Sequence, residues 1–389
     1  MNNLAKRIKT LLPSQAMVLD TKAKALKNKG ISIVNLTAGE PDFNTPQPII
    51  NSAIQALNSG FTKYTSPQGI EELRKEIADK FSKENNIIYD PSQIIIGAGS
   101  KQLLYTAFQV MCDKNDEVII PIPAYNTFVE QTKLAGGKPR LIKLNPPFKL
   151  KAEDVIKHVN KKTKIIVLNS PSNPTGAIID KSELKKIADL AVKNNLWVIS
   201  DEIYEKLVYS GEHISIASLN EKIKEKTLTV CGVSKTYAMT GWRLGYAAGP
   251  KNLIEIMTLL QGQMISSVNS ISQMAALTAI KSDQKEIENM QKEFNKRRDF
   301  LVKEFKKIPE LSFTAPEGAF YLFVSIKKLL GKKYKTSTDW RAALLEKEKI
   351  ATVPGEAFYY PGFFRLSFAA SMEDLQKAVT GIKNFIYET

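Results

Sequence analysis

The sequence predicts an α/β fold with a large domain, built on a mostly parallel central sheet, and a smaller α+β domain. Apolar strand-like runs alternate with amphipathic helix-like segments between residues 92 and 235. These runs are continuously apolar and rich in β-branched residues, which is typical of strands that are buried on both faces. A chain of 389 residues is also long for a single hydrophobic core.

The predicted strands of the large domain come in regular order, with helices between several of them. They lie at residues 92–99, 116–123, 163–170, 196–204 and 226–235. Helical patterns follow the first strand and precede the fourth, as in a sheet with helices on both sides. Ligands of such sheets bind beyond the carboxyl ends of the strands.

The sequence pattern in the rest of the chain predicts a second domain. Residues 250–305 have a mostly helical pattern, and short strands at 320–326, 350–358 and 363–370 follow in a less regular order. The first 46 residues lack the alternation of strand and helix. We therefore expect a large domain at 47–285 and a small domain formed by both chain ends, 1–46 and 286–389.

Composition narrows the classes of function. The net charge is +15, but the lysines are scattered through helix-like segments beside glutamates, so we expect no nucleic acid as partner. No run reaches the length of a membrane span, and the N-terminus lacks a signal-peptide pattern, so we expect no membrane association. Cys112 and Cys231 have no metal-like spacing. They favour a reducing, cytoplasmic location and no metal site.

Polar side chains follow four of the predicted strands. The sequence GAGS (97–100) precedes a helix, and it is either a plain turn or a cradle of amides for an anion. The NPTG of 173–176 is either a turn or a binding loop. Asp201 could serve only to cap the following segment, and Tyr204 could be a half-buried tyrosine of the core. Because these strand ends meet at one edge of the sheet, a site is expected there.

Lys235 has no acidic neighbour in the sequence. Burial at the end of a strand would lower its pKa, and a neutral amine is what Schiff-base chemistry requires. Asp201 could keep a ring nitrogen protonated, and the GAGS turn with Arg243 could hold a phosphate. Asn173 and Tyr204 could bond a ring hydroxyl. This combination indicates pyridoxal 5′-phosphate (PLP) as cofactor.

The segment GVSKTYAMTGWRLG (232–245) resembles the lysine signature of class I aminotransferases of the aspartate aminotransferase family, which are fold-type I PLP-dependent enzymes. The resemblance is closest to the bacterial branch and covers essentially the whole chain from about residue 4. It continues in order through NLTAGEPDFNTP (35–46), FTKYTSPQGIEELR (61–74), NSPSNPTGA (169–177), SDEIYEKLVY (200–209), PEGAFYLF (316–323) and FFRLSFAAS (363–371).

The resemblance implies roles for individual residues. Lys235 would form the imine with PLP and then move the substrate proton, while Asp201 would pair with the ring nitrogen. Further cofactor-binding residues implied by the resemblance are Gly99, Ser100, Lys101, Tyr125, Asn173, Tyr204 and Arg243. Tyr64 would reach the cofactor phosphate of the neighbouring subunit, which implies a homodimer with shared sites.

The resemblance also implies where the substrate binds. Arg365 would hold the α-carboxylate of the amino acid in a bidentate pair, which lysine cannot reproduce. Gly39 would let the backbone approach the substrate closely. The other substrate-binding residues implied are Lys101, Tyr125 and Asn173.

The departures from the family pattern concern mainly the substrate pocket. Tyr125 stands where bacterial aspartate enzymes usually have tryptophan, and residues 13–17 lack the usual threonine. Ser267–Val268 stands where Asn–Pro is expected, and Gly232 replaces a serine that some relatives use on the phosphate. Lys101, which can recognise a side-chain carboxylate in the bacterial branch, is retained.

The expected function is transfer of an amino group from an L-amino acid, with aspartate as first choice, to a 2-oxo acid, with 2-oxoglutarate as first choice. One alternative is an aminotransferase for aromatic amino acids or prephenate. The other is a PLP-dependent lyase or cyclising enzyme on the same fold, since Lys235 and Asp201 would serve either. His158 and His213 are expected to be solvated and to have no role in catalysis.

Overall fold

The structure is a computed structural model, and it describes residues 5–388. The strands are β1 Val34–Asn35, β2 Ile94–Gly97, β3 Glu117–Ile122, β4 Lys138–Lys143, β5 Thr163–Asn169, β6 Trp197–Asp201, β7 Thr227–Gly232, β8 Gly245–Ala248, β9 Ser312–Phe313, β10 Tyr321–Ser325, β11 Ile350–Ala351, β12 Val353–Pro354 and β13 Phe363–Ser367.

The α-helices are α1 Gln15–Asn28, α2 Gln47–Asn58, α3 Glu71–Asn85, α4 Ser100–Met111, α5 Asn126–Leu134, α6 Ala152–Ile156, α7 Lys181–Lys193, α8 Glu221–Lys224, α9 Val233–Thr236, α10 Lys251–Ile265, α11 Ser270–Lys281, α12 Lys285–Phe305, α13 Ser337–Glu348 and α14 Met372–Tyr387. Short 3₁₀ turns lie at Lys6–Thr10, Pro91–Gln93, Ile216–Ser218, Thr240–Trp242, Lys327–Leu329 and Gly355–Phe358. No helix in the described part of the chain has both the length and the apolar composition of a membrane span.

The central sheet has seven strands in the order β2-β8-β7-β6-β5-β3-β4. The pairs β3–β4, β3–β5, β5–β6 and β6–β7 are parallel, whereas β8 runs antiparallel to both of its neighbours. The predicted α/β fold with a mostly parallel central sheet is therefore confirmed.

Two strands of this sheet escaped the sequence analysis for different reasons. β4 lies at the edge of the sheet, and its residues are mostly solvent-accessible, so its composition is too polar for the pattern of a buried strand. β8 is buried but consists of Gly245, Tyr246 and two alanines. Its small residues carry little strand propensity, and its burial comes from tertiary packing.

A second, antiparallel sheet has the order β12-β13-β10-β9, and β1 pairs in parallel with β11 through Val34 and Ile350. This pairing brings the N-terminal segment against the C-terminal part of the chain. A core of aromatic and aliphatic residues between α12, α13, α14 and this sheet includes Phe294, Trp340 and Phe364. The division into 47–285 against 1–46 with 286–389 stays a prediction.

The strand ends that carry the predicted polar groups lie side by side. Asn169 and Asp201 are register partners at the ends of β5 and β6. β7 ends at Gly232, and Lys235 lies in the following helical turn α9 rather than in the strand, which corrects the sequence analysis. Glycine at 232 allows close packing there, since a Cβ would lie 3.1 Å from the Cα of Gly245 and 3.2 Å from the Oγ of Ser100.

Candidate active site

A cleft of about 570 Å³ opens beyond the carboxyl ends of the parallel strands, and α1 forms one of its walls. It brings together ten of the predicted site residues, namely Gly39, Ser100, Lys101, Tyr125, Asn173, Asp201, Tyr204, Lys235, Arg243 and Arg365. These residues span 327 positions of the chain, from 39 to 365. The fold therefore assembles in one cavity what the sequence offered as separate motifs.

Lys235 projects from α9 into the cleft, and its Nζ donates a hydrogen bond to the backbone carbonyl of Gly39. Burial lowers the pKa of Lys235 to about 8, with Arg243 and Arg365 acting in the same direction. Glu40 opposes this effect through its negative charge. The ammonium group is thus close to giving up its proton near neutral pH, as a nucleophilic amine must.

Asp201 is buried, 5% exposed, at the end of β6. Burial raises the pKa of its carboxyl to about 7, although the backbone N–H of Ile203 donates to Oδ1 at 3.3 Å and lowers it. Glu202 raises it further and Lys235 lowers it. Within residues 5–388 no side-chain cation forms an ion pair with this carboxylate, so it is suited to receive a cationic group from a ligand.

The turn before α4 forms a small cradle. Gly99 has φ +84°, and a Cβ on it would lie 2.6 Å from the Nη2 atom of Arg243. A Cβ on Gly245 would lie 2.4 Å from the backbone nitrogen of Ser100. Glycine at both positions therefore lets a guanidinium and the first amides of α4 converge, and such amides have no partner within the helix.

Arg365 is 3% exposed and is held by two hydrogen bonds. Its Nη1 donates to Oδ1 of Asn173 at 3.0 Å, and its Nη2 donates to the carbonyl of Thr37 at 2.7 Å. Its Nε is buried and has no partner among the described residues. Burial lowers the pKa of the guanidinium. The group is oriented and incompletely satisfied, so it can bind a carboxylate.

Tyr204 hydrogen-bonds through its hydroxyl with the hydroxyl of Tyr321 at 2.8 Å. Lys101 and Tyr125 stand on another wall, where the ammonium lies 5.5 Å from the centroid of the tyrosine ring. The Nζ of Lys101 is also 4.0 Å from the sulfur of Met17. No ion pair involves Lys101 within residues 5–388, so its charge is available to an anionic ligand.

The structure does not bring Tyr64 into the cleft of its own chain. This side chain is 88% exposed, on the loop between α2 and α3. Gly99 lies behind the lining, against Arg243, as described above. The roles expected for Tyr64 at a neighbouring subunit and for Gly99 at the phosphate stay predictions.

Among the cleft residues that sequence analysis missed are Asn169, Tyr321, Glu40 and Thr240. Asn169 accepts from the backbone N–H of Asn173 at 2.9 Å and donates to the carbonyl of Asp201 at 3.1 Å. Asn169 is the last residue of β5, and this position at a strand end could have identified it as a site residue from the sequence. Thr240 donates to the carboxylate of Glu40 at 2.9 Å, across 200 positions of sequence, and no local pattern indicates that contact.

The expectation that both histidines are solvated was wrong for His213. Its side chain is 7% exposed and its Nε2 lies 3.0 Å from the carboxylate of Glu202. The SGEHIS segment has the composition of a loop, and only the fold turns the ring inward. His158 is half-buried, and its Nδ1 donates to the backbone carbonyl of Asp154 at 2.7 Å.

Comparison with protein families matches residues 31–382 to the family described as aminotransferase class I and II. Aspartate aminotransferase of Bacillus subtilis (strain 168) is 44% identical over 387 residues, which are 98% of either protein. A probable aspartate/prephenate aminotransferase of Aquifex aeolicus is 42% identical over 393 residues, which are 99% of either protein.

Solved structures give the same comparison in three dimensions. The aspartate aminotransferase of Thermus thermophilus with maleate superposes with a TM-score of 0.95 at 37% identity, over 99% of this chain and 100% of that one. The aspartate aminotransferase of Rhizobium meliloti has a TM-score of 0.93 at 38% identity, over 98% of both chains.

Proposed function

The chain belongs to the family of class I and II aminotransferases, and from that premise we propose that it uses PLP to transfer the amino group of L-aspartate to 2-oxoglutarate. The observation that carries the proposal is that Lys235, Asp201, Arg243 and Arg365 line one cleft, in which the lysine and the aspartate have opposite pKa shifts. The pKa of Lys235 falls to about 8 and that of Asp201 rises to about 7. The lowered pKa makes the neutral amine of Lys235 accessible for Schiff-base formation, and a cationic ring nitrogen beside Asp201 would favour the ionised form of this buried carboxylate.

The donor set fits the cofactor. When bound, PLP supplies an aldehyde for amines and an electron-withdrawing ring that makes the α-proton of an amino acid acidic. Asp201 would hold the proton of the ring nitrogen, because a cation beside it favours its ionised form. Ser100, the amides at the start of α4 and Arg243 would hold the phosphate, with Gly99 giving them room.

The remaining contacts would orient the ring. The Nδ2 of Asn173 can donate to the ring oxygen, since its Oδ1 is already used by Arg365. Tyr204 would donate to the same oxygen and is held by Tyr321. Tyr125 would stack on the ring face, with Lys101 beside it.

In the reaction, Lys235 acts at the α-carbon of the substrate. Its Nζ takes the α-proton as general base and returns a proton as general acid. The hydrogen bond to the carbonyl of Gly39 orients the amine while it carries the proton. Arg365 holds the α-carboxylate, so that the α-carbon stays within reach of Nζ.

The choice of a dicarboxylic substrate is supported by the free charge of Lys101 at the wall of the cleft and by relatives named aspartate aminotransferases. The related Thermus structure is named with maleate, a four-carbon dicarboxylate like aspartate. We therefore propose that Arg365 binds the α-carboxylate and Lys101 the side-chain carboxylate.

Prephenate is the second candidate substrate. Relatives from Aquifex aeolicus and two Rickettsia species are named probable aspartate/prephenate aminotransferases. Prephenate is also a dicarboxylate, and Tyr125 in place of the family's usual tryptophan changes the space beside the ring. The cleft volume of about 570 Å³ is compatible with either substrate.

We also propose that the protein is a homodimer in which the partner subunit's Tyr64 contacts the cofactor phosphate. Exposed apolar side chains lie on α2, on the loop that follows it and on α10: Ile54, Leu57, Phe61, Ile256, Leu259, Met264 and Ile265. Such a surface is typical of an interface between subunits. The two cysteines are unpaired and buried, and on that ground we propose a cytoplasmic location.

The function is tested by single-turnover half-reactions of the purified protein, followed through the cofactor absorbance. We expect aspartate and glutamate to react faster than alanine, phenylalanine or tyrosine, and arogenate, the amino product of prephenate, reports on the second candidate. Lys235→Ala should abolish the reaction, and Lys101→Gln should slow aspartate more than alanine. Product formation beyond one equivalent per bound cofactor, without a 2-oxo acid acceptor, would contradict transamination.

A further inference from the structure

A buried group of charged side chains lies directly behind Asp201. Glu202, the next residue, is 1% exposed and does not line the cleft. The hydroxyls of Ser200 and Ser215 both donate to its Oε1 at 2.8 Å. Three donors therefore converge on this carboxylate, because Nε2 of His213 lies 3.0 Å from its other oxygen. Such a set of contacts places hydrogen-bond donors against both oxygens of the Glu202 carboxylate.

The same group contains a second ion pair, between Lys80 of α3 and Glu205. The two side chains are 5% and 7% exposed and in hydrogen-bond contact. Asn85 donates to the other oxygen of Glu205 at 2.8 Å. Burial alone would raise the pKa of Glu205, but Lys80 and His213 bring it down to about 2. At the edge, Glu84 pairs with Lys206 at 2.9 Å and also lies 3.5 Å from the ammonium of Lys80, so Lys206 and Glu84 add one charge of each sign to the group.

Ligand-type atoms of Glu202, Glu205 and His213 lie within 4.8 Å of one another. A metal ion is nevertheless not required there. The ammonium of Lys80 already contacts Glu205, and the ring of His213 already contacts Glu202. The cluster can obtain its positive charges from its own side chains.

The charge balance of the cluster depends on His213. With a neutral ring, two buried carboxylates face the single ammonium of Lys80. With a protonated ring, two negative and two positive charges balance. Burial lowers the pKa of His213, but the carboxylates of Glu202 and Glu205 outweigh burial and the opposing charge of Lys80, so the pKa is raised.

The surroundings of the second ring nitrogen oppose protonation of the His213 ring. The Nδ1 of His213 is buried and has no hydrogen-bond partner among the described residues. A proton on it would be an unused donor. An uncompensated buried charge costs more than an unmade hydrogen bond, so the charge balance decides in favour of the imidazolium.

We propose that His213 is a positioning residue of this aminotransferase site: as an imidazolium it neutralises Glu202, and Asp201 beside it can therefore stay ionised against the ring nitrogen of the cofactor. The role rests on the proposed use of PLP. Its physical basis is that Glu202 disfavours the ionised form of Asp201, in the same direction as burial. Without the imidazolium, the negative charges of Glu202 and Asp201 would repel each other, and this repulsion would favour protonation of Asp201.

The charge of the ring can be measured without any cofactor. The chain has two histidines, so ¹⁵N-histidine NMR of the cofactor-free protein gives two sets of ring signals, and His158→Gln assigns them. We expect His213 to be an imidazolium at pH 7 and to titrate above the ordinary value of about 6.5. A neutral His213 ring at pH 7 would overturn the proposal.

The consequence for the cofactor is measured as the dissociation constant of PLP in the wild type, His213→Gln and the double variant Glu202→Gln/His213→Gln. We expect His213→Gln to weaken binding at pH 7 by about tenfold, which corresponds to a change of one in the pKa of Asp201. The difference in PLP affinity between His213→Gln and the wild type should shrink as the pH rises, because the His213 ring of the wild type then loses its proton and its charge. The double variant removes both charges and should recover most of the affinity.

His158→Gln, at the other histidine, should bind PLP like the wild type. A defect in His213→Gln that is independent of pH and is not relieved in the double variant would mean a purely structural role and would overturn the proposal. A wild type that takes up no PLP would overturn the proposed function, and this role with it. Failure of the role of His213 and failure of the proposed function can be told apart, because the charge of the His213 ring is measured in the cofactor-free protein.

Discussion

The guanidinium carbon of Arg365 lies 4.2 Å from the ring centroid of Tyr321. The hydroxyl of that tyrosine in turn hydrogen-bonds with Tyr204. Together with the bonds to Thr37 and Asn173, the stacking fixes the plane of the guanidinium. No carboxylate within residues 5–388 pairs with it. Its orientation is therefore set before a substrate arrives, which favours bidentate binding of a carboxylate.

Arg365→Lys should impair use of the amino acid far more than retention of PLP. Lysine cannot form two parallel hydrogen bonds to a carboxylate, and it loses the stacking on Tyr321. We expect kcat/KM to fall on the order of 100-fold or more, the equivalent of one or two charge-assisted hydrogen bonds. Steady-state kinetics and a PLP titration of the same preparation measure the two effects separately.

The matched control is Arg341→Lys, at another buried arginine that lies outside the cleft. Its kinetics should be close to those of the wild type. Parallel losses of kcat/KM and PLP affinity in Arg365→Lys would mean that Arg365 does not bind the substrate.

Asp201→Asn should make the cofactor-free protein more stable at pH 8. The folded pKa of Asp201 is about 7, against about 3.9 in the unfolded chain. Between those values the folded state binds more protons, so its stability falls as the pH rises from 4 to 7. Removing the buried charge should recover, at pH 8, up to roughly 4 kcal/mol. The gain should nearly vanish at pH 4.

Urea unfolding of wild type and Asp201→Asn at both pH values, at one protein concentration, measures this difference. Saturating PLP should reverse the order at pH 8, because the ionised carboxylate is then compensated. An equal difference at pH 4 and pH 8 would argue against ionisation of Asp201 as its cause.

Gly99→Ala should weaken PLP binding by about 10- to 100-fold, since the new methyl group would occupy the space of the Arg243 guanidinium. Gly60→Ala is the control. Gly60 also has a positive φ, +74°, but a Cβ there meets nothing within 4 Å. Both variants should lose about 1 kcal/mol of stability through backbone strain.

PLP titration and competition by inorganic phosphate separate the two glycine variants. Only Gly99→Ala should lose affinity for both anions. If both variants bind PLP like the wild type, the cradle at the start of α4 does not hold the phosphate.

Leu259→Lys should weaken the proposed homodimer. Leu259 is 64% exposed on α10 in the single chain, and a lysine buried at an interface should raise the dimer dissociation constant on the order of 100-fold. PLP affinity should fall with dimer content, because the partner subunit's Tyr64 is lost. Sedimentation velocity over a range of concentrations measures both species.

Ile88→Lys is the control for that change. Ile88 is 77% exposed after α3 and does not belong to the apolar surface of α2 and α10. It should leave the association state unchanged. A wild type that is monomeric at micromolar concentration would rule out the shared site.

The family, the fold class and the strand-end positions could be predicted from sequence because they depend on local pattern. Continuous apolar runs indicate buried parallel strands, and the carboxyl ends of such strands meet at one edge of the sheet. Asp201 and Asn173 could therefore be placed near Lys235 before any coordinates. The short helical turn that carries Lys235 could not, because four residues leave too little periodicity to recognise.

The sequence by itself predicted that Lys235, Asp201 and the GAGS turn belong to one PLP-type constellation, since each motif is contiguous and its chemistry is readable residue by residue. Only the tertiary structure decided that Arg365 meets Thr37 across 328 positions, that Tyr321 supports Tyr204, and that His213 turns inward to Glu202. The physical reason is that hydrogen bonds and desolvation act through space. The environment that shifts a pKa consists of neighbours that the chain order does not reveal.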